Sequence, residues 1–245
     1  MRNFETLFIC GCPRSGTTAI WELLSTHPSI AIGLERYHCR IEEFSLSYED
    51  FELPRFFDLQ PGDTFYDDLA FTPYYAELRP RFEQTTHRGD KIPKLYERFD
   101  PLFHTFPDAR VVVMFRNLID VALSYSRRAR DPQDPWLPAH TVRSAIRDWN
   151  VSLEQTLRFV WRRENVLCVD YETFFVAGQG LERLAEFLGL EDAEPLRAAH
   201  RRMVEYVNGE LMGDRLVLDI NFFERKELLL SGRFGLYRKI ERYTE

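Results

Sequence analysis

No apolar run in the sequence approaches the roughly 20 residues that a membrane span requires. The opening Met1-Arg2-Asn3-Phe4-Glu5 also places an acid where a secretory leader has its basic region and apolar stretch. Both absences predict a soluble, cytoplasmic protein with no membrane span. Cysteine is scarce: four in 245 residues, too few and too scattered for a disulfide framework. Cys10 and Cys12 flank the first glycine of a turn, Cys39 lies in a mixed segment and Cys168 in an apolar run. These spacings match no zinc site, so buried reduced thiols and no metal centre are expected. Positive charge is not in excess either. With 32 Lys and Arg against 39 Asp and Glu the net charge is −7, which excludes a broad surface that holds nucleic acid by neutralising its phosphates. A small anion, bound locally by a few arginines and backbone N–H groups, stays compatible with that balance. There is no internal repeat and no low-complexity tract.

What is present is ordinary globular composition, 44% hydrophobic and 29% charged, in a length suited to one undivided core. A single domain over 1–245 is therefore expected. Its 20 Phe and 11 Tyr supply a packed interior or an apolar ligand pocket, and composition does not choose between them. The apolar run Thr6 to Cys10 reads as a buried strand that stops at Gly11-Cys12-Pro13. Ile20, Leu23 and Leu24 then fall at helical spacing until His27-Pro28, and Ile30 to Leu34 reads as a second strand.

The acidic, aromatic stretch 42–68, broken by Pro54 and Pro61-Gly62, reads as an insertion of loops and short helices. Phe71 to Phe82 is helical and His87 to Lys94 a polar connection. Val111 to Phe115 is the clearest strand, followed by a helix over Asp120 to Arg130 and a Pro-rich loop over Asp131 to Pro138. A long amphipathic helix over Val142 to Arg163 precedes a strand at Val166 to Val169 and a helix at Leu181 to Leu188. Strand and helix alternate, which predicts an α/β fold: one P-loop-type domain with a central, mostly parallel sheet flanked by helices.

Gly11-Cys12-Pro13-Arg14-Ser15-Gly16-Thr17-Thr18 follows a strand and opens a helix, the context that a phosphate-binding loop requires. The glycines permit a tight turn, successive N–H groups point inward, and the helix N-terminus adds partial positive charge. The glycine spacing is that of a Walker A loop, yet the position after the second glycine holds Thr17 where a nucleoside triphosphatase has Lys. Arg14 supplies the cation from within the loop. The strand Val111 to Phe115 ends in Arg116 and Asn117, with no acidic metal ligand there.

Pro13-Arg14-Ser15-Gly16-Thr17-Thr18 resembles the 5′-phosphosulfate loop of sulfotransferases that use 3′-phosphoadenosine-5′-phosphosulfate (PAPS), in the Arg-containing form of bacterial and Golgi-type members. Arg116-Asn117-Leu118-Ile119-Asp120 with Ser124 resembles the family's 3′-phosphate motif, in which the Arg and the Ser eight positions later both contact that phosphate. Leu118 stands where relatives usually have Pro. Tyr171-Glu172 after a strand, Phe187-Leu188-Gly189-Leu190, and Ser231-Gly232-Arg233-Phe234 resemble later family features. The last of these implies a nucleotide-covering segment at about 221–240, with Arg233 as a nucleotide contact.

The resemblance implies PAPS as co-substrate and the bisphosphate PAP as product, with no metal required. Pro13, Arg14, Ser15, Gly16, Thr17, Thr18, Arg116, Ser124 and Arg233 are the implied nucleotide contacts. Arg14 and Lys91 are the cations near the transferring group. The acceptor presents a hydroxyl or, in second place, an amine, on a small molecule, sugar or lipid; oligomeric state is open. A hydroxyl needs a general base within hydrogen-bond reach. Glu35 is the first candidate, with His38 and His87 as alternatives. Two rival readings share the loop: a P-loop kinase, which would need Lys after Gly16 and an acid for Mg²⁺, and a non-catalytic nucleotide-binding module.

Overall fold

The computed structural model describes residues 3–64, 72–133, 140–211 and 222–244. Five strands, β1 (Glu5–Gly11), β2 (Ile30–Leu34), β3 (His87–Lys91), β4 (Arg110–Phe115) and β5 (Val166–Asp170), pair in the order β2-β3-β1-β4-β5. Every pairing is parallel, so the sheet expected to be mostly parallel is parallel throughout its described strands. The helices are α1 (Thr17–Ser25), α2 (Thr72–Leu78), α3 (Phe99–Thr105), α4 (Leu118–Arg130), α5 (Val142–Val160), α6 (Leu181–Leu188), α7 (Glu194–Tyr206), α8 (Phe222–Ser231) and α9 (Phe234–Glu241). No helix among the described residues is long and apolar enough to cross a membrane.

Parallel neighbours need crossovers, and here helices cover both faces of the sheet. Alternate residues of the strands are apolar on each side. Phe8, Cys10, Val111, Val113, Val166 and Cys168 share a core with Trp149 and Leu153 of α5 and Phe99 and Leu102 of α3. Leu7, Ile9, Val112, Met114, Leu167 and Val169 face the other way, into a core with Ile20, Leu23 and Leu24 of α1 and Leu184 and Leu188 of α6. The chain starts at the central strand, turns to one side for β2 and β3, then to the other for β4 and β5. That reversal opens a crevice at the carboxyl ends of β1 and β4, the place where ligands bind in open α/β sheets.

The segment His87 to Lys94, expected as a polar connection, is instead partly a sheet strand. β3 reads His-Arg-Gly-Asp-Lys, yet all five residues are buried between β1 and β2. It is tolerated because its buried charged groups are paired or hydrogen-bonded, with His87 Nε2 the one buried side-chain atom of the strand that lacks a hydrogen-bond partner. His87 faces Glu5, with Nε2 to Oε2 at 3.7 Å. Arg88 stacks between the Phe4 and Phe82 rings and donates Nε to Thr85 Oγ1 at 3.1 Å. Asp90 accepts from the backbone N–H of Arg36 and Tyr37, and Lys91 pairs with Glu35. A Cβ on Gly33 would come within 2.8 Å of Asp90 Oδ1, so the bare glycine makes room for the carboxylate that holds the turn after β2.

The acidic insertion 42–68, of which 65–68 lie outside the described residues, leaves Glu42, Glu43, Glu49, Glu52 and Asp58 exposed and turns Asp50 and Asp63 inward. Asp63 pairs with Arg36 at 2.6 Å and Arg55 at 2.5 Å, and Asp50 pairs with Arg40. The guanidiniums of Arg36, Arg40 and Arg55 surround the Tyr37 ring at 4.6, 5.4 and 5.2 Å respectively, while Phe51 and Phe56 are buried completely. The helical spacing of Phe71 to Phe82, of which Phe71 lies outside the described residues, resolves from Thr72 into α2 and a tighter 3₁₀ stretch, Arg79–Gln84. The Pro-rich loop is described only to residue 133.

Candidate functional site

The loop that leaves β1 is a turn closed by the Ser15 N–H on the Cys12 carbonyl at 3.0 Å. Gly16 then enters α1 at φ 97°, a left-handed backbone that favours glycine. A Cβ there would lie 2.5 Å from the Tyr171 ring, so the position is closed to other residues on two counts. Ser15 sends its hydroxyl inward to the Met114 carbonyl at 3.1 Å, pinning the loop to β4; toward a ligand it offers backbone only. Pro13 is buried and Thr18 exposed, with Thr17 buried at the first turn of α1. The opening N–H groups of α1 have no carbonyl a turn earlier to accept them, an arrangement that suits an anion.

Arg14 is one of three described non-glycine residues with a left-handed backbone, at φ 72°. Its guanidinium crosses the crevice: Nε donates to Ser124 Oγ on α4 at 2.8 Å. The first motif and the Ser of the second are therefore in direct contact. Arg116, at the exit of β4, lies with Cζ 4.2 Å from the centroid of the Tyr171 ring, the same ring that packs on Gly16. Its Nη2 donates to Asp120 Oδ2 at 2.9 Å, and Trp149 Nε1 holds its carbonyl at 2.9 Å. Asn117 caps α4 by accepting the Asp120 N–H and donates Nδ2 to Glu172 Oε1 at 2.7 Å.

A third group gathers where β2 and β3 end. Lys91, 2% exposed, donates Nζ to Glu35 Oε1 at 2.5 Å. Glu35 turns the chain at φ 53° and anchors its own N–H on the Lys91 carbonyl at 2.9 Å. Its other oxygen, Oε2, stands 3.4 Å from His38 Nδ1. Burial depresses the His38 pKa; Glu35 opposes this, while Lys91 and Lys94 reinforce it. A neutral imidazole beside a carboxylate is thus the resting arrangement near neutral pH. Glu35, His38 and Lys91 come together as one cluster. His87, the other sequence candidate for a base, sits at the opposite, amino-terminal end of β3, buried against Glu5; that position removes it from the crevice.

Behind these groups Asp148 of α5 ties the elements together. It is buried, and its Oδ2 accepts Lys94 Nζ at 2.9 Å and the Tyr125 hydroxyl at 3.1 Å. Lys94 follows Lys91 by one 3₁₀ turn, and Tyr125 neighbours Ser124. Burial raises the thiol pKa of Cys12 well above the usual range, with Asp148 adding to the shift and Lys94 opposing it. A protonated Cys12 serves as packing beneath the loop.

Arg233 makes its contacts on α5. It caps α9, pairs with Glu154 and donates its backbone N–H to Asn150 Oδ1 at 2.9 Å, both on α5. No described hydrogen bond or ion pair links it to residues 11–18, Arg116 or Ser124. The segment 222–240 nevertheless covers the start of the second motif, because Gly232 packs on Leu118 so closely that a Cβ would lie 2.6 Å from its Cδ2. Sequence reasoning missed Asp120, Lys94, Asp148 and Trp149 as parts of the site. Position relative to Arg116 was the available signal for Asp120, four residues on; the other three have none in the sequence.

The model of the Sulfotransferase family matches residues 6–194. Among solved structures, the sulfotransferase domain from the olefin synthase of Synechococcus PCC 7002 superposes with a TM-score of 0.53 at 21% identity, covering 89% of this chain and 86% of that one. Mouse sulfotransferase SULT7A1, complexed with PAP, gives 0.51 at 16% identity over 99% of this chain and 84% of its own. Sulfotransferase STF9 from Mycobacterium avium gives 0.50 at 18% identity over 84% and 69%. At these identities the likeness is one of fold. None of the curated proteins matches this chain.

Proposed function

The chain belongs to the sulfotransferase family, and from that premise we propose that it transfers a sulfuryl group from PAPS to a hydroxyl of a small-molecule, sugar or lipid acceptor in the cytoplasm, releasing PAP. The observation that carries this reading is the 2.8 Å bond between Arg14 and Ser124. It sets the loop's cation and the second motif's hydroxyl at one crevice, as a ligand with phosphates at both ends requires.

The residues fit such a ligand on a further count. Arg116 Nε is buried and has no hydrogen-bond partner, a donor left over in a place where an anion would satisfy it. In this assignment Arg14 and the N–H groups of Gly16, Thr17 and Thr18 hold the 5′-phosphate end, with Pro13 and Ser15 shaping the turn. Arg116 and Ser124 hold the 3′-phosphate. The bound nucleotide supplies an activated sulfuryl group, and an in-line displacement asks the protein for alignment and for cations where charge collects on the departing phosphate. Arg14 and Lys91 are those cations. Glu35 receives the acceptor's proton through Oε2, the oxygen not taken by Lys91, with His38 beside it to hold the carboxylate in place.

Calorimetry with PAP and with ATP, each with and without Mg²⁺, tests the reading. Metal-independent preference for PAP is the expected result. Mg²⁺-dependent binding of ATP in preference to PAP would overturn it and favour a kinase.

A further inference from the structure

We infer that Glu172 governs what the second cradle accepts: the 3′-phosphate enters together with a proton, and Glu172 is the group that carries it. This rests on the nucleotide reading above and adds to it a residue to which neither motif assigns a role.

The cradle is oddly charged for an anion site. Arg116 is its cation, yet carboxylates already surround it. Asp120 Oδ2 takes Nη2 at 2.9 Å, and Glu172 Oε1 stands 3.8 Å from Nε. Asp170 lies two residues before Glu172, at the end of β5. The positive charge of Arg116 is therefore offset before any ligand arrives, and a phosphate dianion would meet acids on the same guanidinium. Arg116 is also restrained, by the Tyr171 ring against its face and by Trp149 on its carbonyl.

Of the three acids, Glu172 is the one built to change state. Asp120 keeps Arg116 as a direct partner, and Asp170 is saturated by the Thr173 N–H and hydroxyl at 2.8 and 2.9 Å and by the Tyr237 hydroxyl of α9 at 2.8 Å. Glu172 has Asn117 on Oε1, while its Oε2 is buried with no hydrogen-bond partner. A buried carboxylate oxygen without a donor is where a proton is least costly to add. Glu172 also begins a π-type turn, Glu172–Val176, a backbone form common at functional positions.

The titratable and charged groups that face Glu172 are Arg116 from the end of β4, Asp120 from α4, Asp170 from β5 and the Tyr237 hydroxyl from α9, which burial and the neighbouring acids keep protonated. Burial already raises the Glu172 pKa, Asp170 and Asp120 add to this, and Arg116 opposes. An anion on Arg116 cancels the opposing influence and adds a like charge, so the bound-state pKa lies above the free-state one. Binding then takes up protons. Affinity is full below the free-state pKa and falls as pH rises through the window between the two, by up to about tenfold per pH unit.

The test is calorimetry of PAP binding in two buffers of different ionisation enthalpy at about pH 7, where a phosphate monoester is already largely dianionic. Wild type is expected to take up a substantial fraction of one proton per PAP. Glu172→Gln, which keeps the Asn117 contact, is expected to take up none, to bind several-fold tighter than wild type at about pH 8, and to converge with it near pH 5. PAP binding with no proton uptake by the wild type overturns the assignment without needing the variant, as does an identical pH profile in the two proteins. Absence of any PAP binding is a different result: it removes the nucleotide reading, and this inference with it.

Discussion

Arg14 and Ser124, 110 positions apart in the chain, are joined by a hydrogen bond of 2.8 Å from Nε to Oγ. The contact makes the two motifs proposed to hold phosphates mechanically one unit, since the loop's cation is aimed by a hydroxyl that belongs to the other motif. Removing that hydroxyl should cost roughly 1–2 kcal/mol of nucleotide binding, the scale of a hydrogen bond to a charged group. Ser124→Ala should therefore weaken PAP binding about tenfold. Adenosine 5′-phosphosulfate, which lacks the 3′-phosphate, should lose less. Equal losses for the two ligands in calorimetry would mean that Ser124 acts on Arg14 alone and touches no 3′-phosphate.

Glu35 and Lys91 form the other close pair, and the base assignment stands on the carboxylate. Glu35→Gln keeps the shape and an acceptor oxygen for Lys91 but removes the basic group. Turnover should fall by about 10²-fold or more while PAP affinity stays near normal. The assay follows PAP release from PAPS with an acceptor drawn from a screen of hydroxylated compounds. Near-normal turnover in the variant would transfer the role to His38, whose neutral imidazole is the adjacent alternative.

Much of the fold was legible because its strands are apolar runs. Thr6 to Cys10, Ile30 to Leu34, Val111 to Phe115 and Val166 to Val169 are each buried on two faces of a parallel sheet, so no alternation was needed to find them. β3 was not legible, because its His, Arg, Asp and Lys look like a solvated link, and only tertiary partners such as Phe4, Glu5, Glu35 and Phe82 allow their burial. The same limit hid the inward-facing acids of the insertion. Arg14, Arg116 and Ser124 could be singled out because a glycine turn between strand and helix, and a strand end eight residues before a serine, are local patterns. Glu172, Lys94 and Asp148 are defined by what lies across the crevice from them, and a local pattern does not hold that information.

Asp90 predicts a pH dependence of stability. Its carboxyl is fully buried near the carboxyl end of β3, and burial raises its pKa to about 7, against the lowering influence of the Tyr37 and Arg36 N–H groups. The folded value lies above the unfolded one, so the folded protein holds a proton that the unfolded chain has released. The stability contributed by this group is complete below about pH 4 and is lost as pH rises through 7. Asp90→Asn lacks that titration. The difference in unfolding free energy between wild type and variant should fall by roughly 2 kcal/mol from about pH 5 to pH 7. Urea unfolding at the two pH values measures it, and a difference independent of pH would show that Asp90 is ionised in the fold.

Asp148 predicts coupling between the two halves of the crevice. A single buried oxygen, Oδ2, holds Lys94 at 2.9 Å and the Tyr125 hydroxyl at 3.1 Å. Lys94 belongs to the turn that follows Lys91, and Tyr125 to the helix that presents Ser124. If one carboxylate aligns both, its loss and the loss of Lys94 cannot be independent. Lys94→Met alone leaves Asp148 buried with less compensation, while Asp148→Asn alone leaves an ammonium without its anion; each should destabilise the fold by about 1–3 kcal/mol. The double variant removes the stranded charge in both cases. It should cost less than the sum of the single variants by about 1 kcal/mol or more, read from urea midpoints. Asp148→Asn should also weaken PAP binding more than Lys94→Met does, because only the former replaces the charged acceptor of the Tyr125 hydroxyl beside Ser124 by a neutral amide. Strict additivity in stability, together with equal PAP affinities, would show that Asp148 does not couple Lys94 to Tyr125 and has no part in shaping the site.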